Sequence, residues 1–369
     1  MRVAFVHDWL TTYRGGEKVL EALLELYPEA PIYTLFYDRL AMPESISRRE
    51  VHCLRRTNLF KRGRKLLLPL LPSAIEALAL QDYDLIISTS SCVAKGAIKG
   101  PNARHLCYIH SPMRYIWDQQ EEYIAGVKHI PGAGAAIRAM TPRLRRWDVS
   151  SAQRVDRFVA NSRFVASRVQ RLYGREAKVI HPPIELDRFK PCSAAQGRGG
   201  YLLAAGALVS YKRFDLAIAA CAQLRRRLVI AGAGPMERSL RAQADRLQAD
   251  VEFIMNPDNQ RFVQLLAQAD ALLFPGVEDF GMIAVEAMAC GTPVIALGAG
   301  GALDFINPGE TGLFFESGTA EALAETLSAF KPADFAVENL VAHAKGYGRT
   351  AFLTNMEAEI SSLLKEPTL

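Results

Sequence analysis

Two glutamates in one short stretch have the types and the spacing to hold a polyhydroxylated, anionic ligand. The stretch EDFGMIAVEAMACG at 278–291 carries Glu278 in a loop, and Glu286 lies about five residues inside a helix predicted to begin near Gly281. Five residues advance a helix by about 7 Å, so the two carboxylates would reach different parts of one elongated ligand. The neighbours of Glu286 are apolar, and burying an acid without hydrogen-bond donors is costly. Ligand hydroxyls would supply those donors, and a neighbouring arginine is the alternative.

A pair of cations, Lys212 and Arg213, stands where a helix is predicted to begin after the strand-like run YLLAAG. Cations at a helix N-terminus are unfavourable by about 0.3–1 kcal/mol, so the pair needs an anionic neighbour. A bound phosphate would serve, because lysine, arginine and free amides together form a phosphate clamp. Asp215 offers the other explanation, a local salt bridge. In the loop after the next strand, Gly234 allows close backbone approach.

The first half of the chain has a second candidate site. Its first strand-like run, VAFVH, is followed by Gly15 and Gly16 and then by the helix-like segment EKVLEALLEL. A strand, a glycine loop and a helix in that order can bind an anion through free amides and the helix dipole, although the same pattern is often only a turn. His110 ends the strand-like run HLCYIH, where a histidine serves either a ligand site or the packing.

These candidates are positioned by an alternation of strand-like and helix-like segments. The strand-like runs lie at 3–7, 85–90, 105–110, 157–162 and 178–183, and then at 201–206, 227–232, 251–254, 271–275, 293–297 and 312–315. This alternation predicts an α/β fold with parallel sheets covered by helices on both faces, with ligands at the carboxyl ends of the strands. The loop at 232–237 does not match the dinucleotide-binding fingerprint, because Glu237 stands where the third glycine of that motif would be.

The chain is long enough for two domains. At 369 residues it exceeds one ordinary core. The segment CSAAQGRGG at 192–200 is small and polar, with three glycines, which is typical of a linker. We therefore predict an N-terminal Rossmann-like domain over 1–192 and a C-terminal one over 200–345, facing each other across the linker.

Composition limits the cellular setting and the chemistry. The six cysteines are scattered without a close pair, which predicts a reducing cytoplasm and neither disulfides nor a zinc site. The first residues, MRVAFVHD, predict a strand and no secretory signal, and the most apolar run, 66–75, is too short and too broken by proline to cross a membrane. The acids of Asp82-Tyr83-Asp84 precede a strand rather than follow one, so they predict no metal.

The net charge of +5 is unevenly distributed. Two basic clusters stand out, and the first lies directly before the Leu-rich run at 66–75; the cations are Arg55, Arg56, Lys61, Arg62, Arg64 and Lys65, and then Arg138, Arg143, Arg145 and Arg146. Basic residues beside apolar ones suit an anionic membrane surface, at about 1 kcal/mol per cation. A solvated helix face beside a core helix is the alternative, and nucleic acid is not predicted as a partner.

Taken together, these motifs resemble the family 4 retaining glycosyltransferases of the GT-B fold. The resemblance covers nearly the whole chain and is carried by VHDWL…RGGEK, YIHSPMRY, RFVANS, HPPIELDRF, SYKRFD, AGAGP and EDFGMIAVEAMACGTPVIA. The glutamate pair with its seven-residue spacer is the specific element. In its amino-acid sequence the chain most resembles bacterial enzymes that add sugars, often mannose, during surface polysaccharide assembly.

The resemblance implies sugar transfer from a nucleoside diphosphate sugar with retention of the anomeric configuration. Glu286 would bind the ribose hydroxyls, and Glu278 would face the transferred sugar. Backbone amides of Asp279, Phe280 and Gly281 would contact sugar and phosphate. The remaining roles that it implies are a pyrophosphate contact by Lys212, aided by Gly15, Gly16 and Arg213, and a place beside the reacting carbon for His110. The family often has an arginine where this chain has Ala207, and Arg213 is the expected substitute.

The resemblance also implies partners. The expected donor is GDP-mannose, and the expected acceptor is a glycan, commonly on a polyprenyl diphosphate at the inner face of the cytoplasmic membrane. Neither a metal nor another cofactor is expected, and a helix at about 350–369 would return to the first domain. The alternatives are a nucleotide-sugar epimerase or a phosphorolytic transferase on the same scaffold, and a nucleotide-sugar-binding subunit without turnover.

Overall fold

A computed structural model describes residues 1–56, 67–125, 132–192 and 197–367 of the chain. The chain divides into two compact units. Unit 1 consists of Met1–His181 and Phe352–Leu369, and unit 2 consists of Pro182–Ala351. Each unit is built around one parallel sheet, which confirms the predicted α/β class with two parallel sheets.

Unit 1 contains a sheet of seven parallel strands in the order β3-β2-β1-β4-β5-β6-β7. The strands are β1 Val3–His7, β2 Ile32–Tyr37, β3 Val51–Arg56, β4 Leu85–Ser90, β5 Arg104–Ile109, β6 Arg157–Ala160 and β7 Ala177–Val179. Its helices are α1 Gly15–Leu23, α2 Glu44–Ser47, α3 Leu71–Glu76, α4 Arg114–Trp117, α5 Gln120–Ala125, α6 Ala133–Ala152 and α7 Arg163–Tyr173.

The central strand β1 shows why this sheet is covered on both sides. Val3 and Phe5 pack into the apolar cluster on one face, while Ala4 and Val6 pack into the cluster on the other. Successive side chains of a strand point to opposite faces, so a run that is apolar throughout needs helices on both. The strand ends in His7, which lies opposite Thr89 of β4.

Unit 2 contains a sheet of six parallel strands in the order β10-β9-β8-β11-β12-β13. The strands are β8 Leu202–Ala205, β9 Leu228–Ala231, β10 Val251–Ile254, β11 Ala271–Phe274, β12 Val294–Leu297 and β13 Gly312–Phe315. The helices are α8 Phe214–Leu224, α9 Glu237–Leu247, α10 Asn259–Gln268, α11 Met282–Ala289, α12 Ala302–Phe305, α13 Ala320–Ala329 and α14 Val337–Lys345. The last helix, α15 Arg349–Lys365, includes the second point of division, between Ala351 and Phe352.

The division of the chain differs from the predicted domain bounds of 1–192 and 200–345. Residues 182–192 come before the glycine-rich segment yet belong to unit 2, because Ile184 and Phe189 are buried in its core. Ile184 also forms a β-bridge with Gly348. Apolar packing therefore places the first division about ten residues before the segment whose composition suggested it.

The C-terminal segment from Phe352 packs on unit 1. Phe352 lies edge-on to Tyr108 with ring centroids 5.7 Å apart, and Met356 and Ile360 are buried in the same cluster. Glu359 is buried as well and forms ion pairs with Arg157 and Lys178. Apolar contacts and a buried carboxylate thus attach this helix to the first sheet.

The Leu-rich run at 66–75 is in part a core element, against the membrane interpretation of its apolar residues. Leu68, Leu71 and Ile75 are buried in the second apolar cluster of unit 1. The cations Lys61, Arg62, Arg64 and Lys65 lie outside the described residues, as do the side chains of Arg55 and Arg56. Within the described parts of the chain, no helix has both the length and the hydrophobicity that a membrane crossing requires.

The second basic cluster lies on α6. Arg145 donates a hydrogen bond to the backbone oxygen of Ile116 and places its guanidinium over the ring of Trp117, 4.9 Å from its centroid. Arg138 pairs with Glu121, and both of these side chains are exposed. Arg143 and Arg146 are exposed on the same helix. Part of this cluster therefore helps to hold α4 against α6, and part of it is a solvated helix face.

Candidate functional site

Lys212 and Glu278 form an ion pair in unit 2. Lys212 ends a short 3-10 turn, Ser210–Lys212, that follows β8, and Glu278 lies in the loop after the neighbouring strand β11. The ammonium of Lys212 donates to Oε1 of Glu278, and the two side chains are only 10% and 16% exposed. The structure thus brings together two predicted site residues that are 66 positions apart in the chain.

Two glycines make room for this pair. Gly206 adopts a φ of +127°, and the Lys212 side chain lies against it, with Cε and Nζ 3.3 Å from where a Cβ would be. Gly276 faces the backbone of Tyr211 and Lys212, and a Cβ there would lie 2.7 Å from the Lys212 Cα. A side chain at Gly276 would displace the lysine backbone, and one at Gly206 would be strained by the positive φ and would press on the end of the lysine side chain.

Arg213 does not join Lys212. Its backbone is left-handed, with a φ of 53°, and it caps α8, which begins at Phe214. Its guanidinium hydrogen-bonds the carboxylate of Asp215 at 3.0 and 3.1 Å. The local salt bridge, which the sequence left open as the alternative, is therefore what the structure contains. The left-handed residue turns the chain between the two cations, so adjacent positions serve different partners.

The loop that carries Glu278 is held by glycines of the loop after β12. The backbone N–H of Gly301 donates to the carbonyl of Glu278 at 2.9 Å, and a Cβ on Gly300 would lie 2.7 Å from the same carbonyl. A Cβ on Gly301 would meet the Phe280 Cα at 2.5 Å. These glycines of the GAGG loop approach the protein's own backbone and thereby fix Glu278.

Phe280 and Gly281 offer a ligand only their backbone. The Phe280 side chain is buried and lies edge-on to Phe305, with ring centroids 5.4 Å apart. Gly281 adopts a φ of +98° over the ring of Phe274 and caps α11. The first amides of α11 therefore point out of the helix start beside Glu278, an arrangement that favours anions. Asp279 lies in the same loop and is buried.

Glu286 lies in the fifth position of α11 and is buried, as its apolar neighbours predicted. Its charge bears on Cys290, one turn further along the helix. Burial raises the pKa of the Cys290 thiol to about 12, and the carboxylate of Glu286 adds to that shift. The Cys290 thiol, directly after α11, therefore stays protonated and is not a reactive thiolate.

Gly234 makes its close approach to the protein itself. A Cβ at this position would meet the backbone nitrogen and carbonyl carbon of Leu208 at 2.7 Å. Leu208 and Met236 complete this contact through backbone hydrogen bonds between the two loops. The loop after β9 is consequently braced against the loop that leads to Lys212, and a donor contact at Gly234 stays a prediction.

Unit 1 brings together Gly16 and His110. Helix α1 begins at Gly15, and a Cβ added to Gly16 would lie 3.6 Å from Nε2 of His110. His110 follows β5, and its ring lies edge-on to Tyr108 with centroids 5.2 Å apart. Among the residues that the structure describes, its buried Nε2 has no hydrogen-bond partner. The start of α1 thus faces an imidazole nitrogen without a hydrogen-bond partner in the described parts of the chain.

His110 is held in its neutral form. Burial lowers the pKa of its imidazole to about 4, and the charge of His7 lowers it further, against the opposing charges of Asp8 and Glu17. Between pH 5 and 8 the ring therefore carries a single proton. In that form one ring nitrogen donates a hydrogen bond and the other accepts one.

The sequence motifs did not single out four polar residues around His110. Asp8, next to His7, accepts backbone N–H bonds from Ser91, Cys92, Val93 and Ala94 at 2.6 to 2.9 Å, which fixes the loop after β4. The other three, His7, Glu17 and Thr89, form a buried cluster. The signal was present, because His7 and Asp8 follow an apolar strand directly, where site residues collect.

No group of three His, Cys, Asp or Glu side chains suited to a metal ion occurs within the described parts of the chain. Asp84 accepts a hydrogen bond from the backbone N–H of Arg2 at 2.6 Å. That the reaction needs no metal stays a prediction.

Two family models match the chain, and they meet near the division between the units. The model described as "Glycosyltransferase Family 4" matches residues 13–188, and the model described as "Glycosyl transferases group 1" matches residues 187–344. A curated relative, the "D-inositol 3-phosphate glycosyltransferase 2" of Catenulispora acidiphila, is 32% identical over 229 residues. That alignment covers 53% of this chain and 53% of the relative, so it spans about half of that protein.

Solved structures share the fold across almost the whole chain. The structure of Anabaena HepE in complex with UDP-glucose aligns with a TM-score of 0.71 at 18% identity, over 98% of this chain and 100% of that one. Sucrose-phosphate synthase from Thermosynechococcus elongatus aligns with a TM-score of 0.76 at 18% identity, over 99% of both chains. At such identities the likeness concerns the fold, and it confirms the predicted GT-B architecture.

Proposed function

We infer that this chain belongs to the family 4 glycosyltransferases, and we propose that it moves a hexose from a nucleoside diphosphate sugar to an acceptor with retention of configuration. The family matches over residues 13–188 and 187–344 support the assignment. The observation that carries the proposed chemistry is the Lys212–Glu278 contact at the start of α11, with Glu286 buried in that helix. A cation, an anion and free helix amides together suit the diphosphate and hydroxyls of such a donor.

The proposed mechanism places positive and negative groups where charge develops. As the bond from the anomeric carbon to the diphosphate lengthens, negative charge builds on the leaving phosphate, and Lys212 and the α11 amides stabilise it. Glu278 faces the sugar, whose ring becomes electron-poor. In this proposal His110 acts at the reacting carbon, and its lowered pKa keeps it neutral at physiological pH.

Retention is proposed to follow from attack on the same face that the diphosphate leaves. A covalent route would need a carboxylate free to attack the anomeric carbon, as in retaining glycoside hydrolases. Glu278 is engaged by Lys212, and Asp8 is saturated by backbone amides. In the proposed route the leaving phosphate accepts the proton of the acceptor hydroxyl, so no enzyme nucleophile is required.

The donor is proposed to be GDP-mannose, on the likeness of the sequence to mannose-adding enzymes. The HepE structures contain UDP or UDP-glucose, which supports the wider donor class and makes UDP-glucose the competing candidate. Thermal shift and hydrolysis with GDP-mannose, UDP-glucose, UDP-N-acetylglucosamine and dTDP-rhamnose separate them. We expect the GDP sugar to raise the melting temperature most, and a clear preference for a UDP sugar would overturn this donor assignment.

The acceptor is proposed to be a glycan on a polyprenyl diphosphate at the inner membrane surface, in bacterial polysaccharide assembly. The exposed Leu40 (93%) and Leu54 (56%) of unit 1 lie near the basic segment in sequence and support contact with lipid. The name of the curated relative favours a second candidate, an inositol phosphate. Transfer assays with both acceptors decide between them.

Membrane contact itself is tested by sedimentation with vesicles that contain anionic lipid. The variant replaces Arg55, Arg56, Lys61, Arg62, Arg64 and Lys65 with Gln, and its control replaces Arg143 and Arg146 on α6. We expect only the first set of replacements to lower the bound fraction. Each cation that touches the headgroups should contribute roughly 1 kcal/mol to the free energy of binding, and its replacement removes that contribution. Unchanged sedimentation of the first variant would remove the membrane from the proposal and leave a cytoplasmic enzyme.

Three alternative functions predict different outcomes in a product assay. An epimerase changes the donor in the absence of an acceptor, and a phosphorolytic transferase consumes inorganic phosphate. A binding subunit binds donor without turnover, and Ala207, where the family often has arginine, is the feature that favours it. Incubation with donor alone, with phosphate, and with lipid-linked acceptors distinguishes all three from transfer.

A further inference from the structure

Behind His110, unit 1 contains a buried polar cluster that the proposed chemistry does not use. His7 ends β1, Glu17 lies in the first turn of α1, and Thr89 lies in β4; all three are at most 6% exposed. Nδ1 of His7 lies 2.6 Å from Oγ1 of Thr89, and its Nε2 lies 3.8 Å from Oε1 of Glu17. Burying polar groups in this way costs free energy unless they are paired with each other.

Glu17 connects this cluster to the start of α1. Its second oxygen, Oε2, accepts the backbone N–H of Arg14 at 2.9 Å, which closes the capping box ahead of Gly15 and Gly16. Burial raises the pKa of Glu17, but His7 and the backbone amides outweigh that effect and hold the pKa below its usual value. A charged carboxylate therefore fixes both the glycine turn and the His7 ring.

The space over Gly16 is shared by the two histidines. A Cβ added to Gly16 would lie 3.8 Å from Cε1 of His7 and 3.6 Å from Nε2 of His110. The two rings thus border one small space at the start of α1. Any shift of the His7 ring would change both that space and the field at His110.

We infer that His7 and Glu17 are positioning residues, which hold the start of α1 and set the electrostatic field at Nε2 of His110. This inference rests on the proposed function, in which neutral His110 lies near the reacting carbon. His7 and Glu17 act through His110 and the glycine turn, and they touch no reacting atom.

The electrostatic sign follows from the charges that face His110. Positive charge on His7 disfavours a proton on His110, while the carboxylates of Asp8 and Glu17 favour it. Tyr108, packed on the His110 ring, is neutral because burial raises its pKa well above the usual value. Removal of the His7 charge leaves burial alone to oppose the two carboxylates, so the pKa of His110 should rise.

The test compares His7→Gln with the wild type through the pH dependence of kcat/KM for transfer. In the wild type the acid limb lies near the His110 pKa of about 4. In His7→Gln we expect it to move up by about 1–2 pH units, the size of a unit charge several ångströms away at an effective dielectric constant near 20. Glu17→Gln keeps an oxygen for the Arg14 amide but loses the carboxylate charge that attracts His7, so the limb should move the same way by less.

The matched control is His105→Gln, another buried histidine of the same sheet, which lies on β5 and contacts Ser88. It should leave the acid limb in place. If His7→Gln and Glu17→Gln lower kcat/KM equally at every pH, the cluster only supports the fold and the inference is wrong.

A second readout does not require activity. The His110 ring proton resonance is followed by NMR between pH 5 and 7 in the wild type and in both variants. It should stay flat in the wild type and titrate in the variants. Titration without transfer by any donor and acceptor would sink the proposed function while the positioning role stands, and a flat resonance in both variants would sink the positioning role alone.

Discussion

The ammonium of Lys212 and the carboxylate of Glu278 neutralise each other across the ends of two neighbouring strands, β8 and β11. Both side chains are largely buried, so neither charge can be satisfied by bulk water. An anionic phosphate that takes Lys212 must therefore share it with Glu278 or release the carboxylate toward the sugar. The two residues are expected to act as one unit, in stability and in donor binding.

A double-mutant cycle measures this coupling. Lys212→Met and Glu278→Gln should each lower the free energy of unfolding by about 1–3 kcal/mol, because each leaves a buried partner unsatisfied. The double variant should lose less than the sum of the two, with a coupling of about 0.5–3 kcal/mol. Urea denaturation of all four proteins gives the numbers, and additivity within about 0.3 kcal/mol would contradict the contact.

The adjacent cation provides the control for that cycle. Arg213 and Asp215 are 43% and 41% exposed, so Arg213→Met should cost no more than about 1 kcal/mol. Donor affinity, measured by calorimetry, should fall for Lys212→Met and stay nearly unchanged for Arg213→Met. An equal loss in both variants would restore the predicted pair of phosphate ligands.

Gly16→Ala should separate stability from activity. Gly16 lies in the first turn of α1, and an alanine Cβ there would make only ordinary contacts of 3.6 to 3.9 Å. Replacement of a helical glycine should raise the free energy of unfolding by up to about 1 kcal/mol. The methyl group fills the space over Nε2 of His110, and a displacement of about 1 Å at a reacting centre can cost about 100-fold in rate.

The measurements for Gly16→Ala are urea denaturation and transfer rate, with Gly318→Ala as the control. The nearest neighbour of an added Cβ at Gly318 is Leu297, at 3.9 Å, far along the chain from any candidate residue. The control should keep its full rate. A Gly16→Ala protein as active as the control would show that no ligand uses the helix start.

The buried pair of Lys95 and Asp148 should be the most sensitive electrostatic contact of unit 1. Nζ of Lys95 lies 3.0 Å from Oδ1 of Asp148, and the two side chains are 1% and 0% exposed. Trp117 and Tyr173 also donate to Asp148, each at 2.8 Å. Lys95→Met leaves this carboxylate without its counter-charge and should cost about 3–5 kcal/mol of unfolding free energy.

Adding Asp148→Asn to Lys95→Met should restore part of that loss, since the amide oxygen still accepts from Trp117 and Tyr173. Lys99→Met, which breaks a pair with Asp156 at 22% exposure, should cost markedly less. Urea denaturation checks all three proteins. A double variant less stable than Lys95→Met would contradict the charge argument.

Stability should fall on the acid side because of His105. Burial lowers the pKa of its imidazole to about 3, while the unfolded chain has the ordinary 6.5. Between these values the unfolded state binds a proton that the folded state does not. The contribution of His105 to the free energy of unfolding is therefore fully present above pH 6.5 and is lost as the pH falls toward 3. Denaturation at pH 5 and 7.5 should show a smaller difference in His105→Gln, and an identical difference would assign the slope to other groups.

Much of the fold could be predicted from the alternation of apolar runs, but β2 and β3 could not. The run IYTLFY of β2 is buried throughout, as are the predicted strands β1 and β4, so its burial does not explain why it was missed. The edge strand β3, VHCLRR, carries a histidine and two arginines, which do not suggest a sheet. The division at Pro182 was missed for a related reason, since Ile184 and Phe189 bind their unit through packing that composition does not reveal.

In the site, residue types could be predicted but partners could not. Glu286 was expected to be buried, because its neighbours in the helix are apolar. Lys212 pairs with Glu278, while the adjacent Arg213 pairs with Asp215. This division depends on the left-handed backbone of Arg213, which no local sequence pattern specifies. Likewise, no local pattern indicates that Gly301 donates its N–H to the backbone carbonyl of Glu278.

The division of the chain at Pro182 and Phe352 has a consequence for biosynthesis. Unit 2 is continuous in sequence, whereas the first core waits for Phe352, Met356, Ile360 and Leu363. Domains fold as they emerge from the ribosome, usually beginning with the N-terminal one. Here unit 2 can finish first, while the earlier-made half stays incomplete until translation has passed Leu363. A nascent chain halted before Phe352 should therefore depend on chaperones more than one released in full.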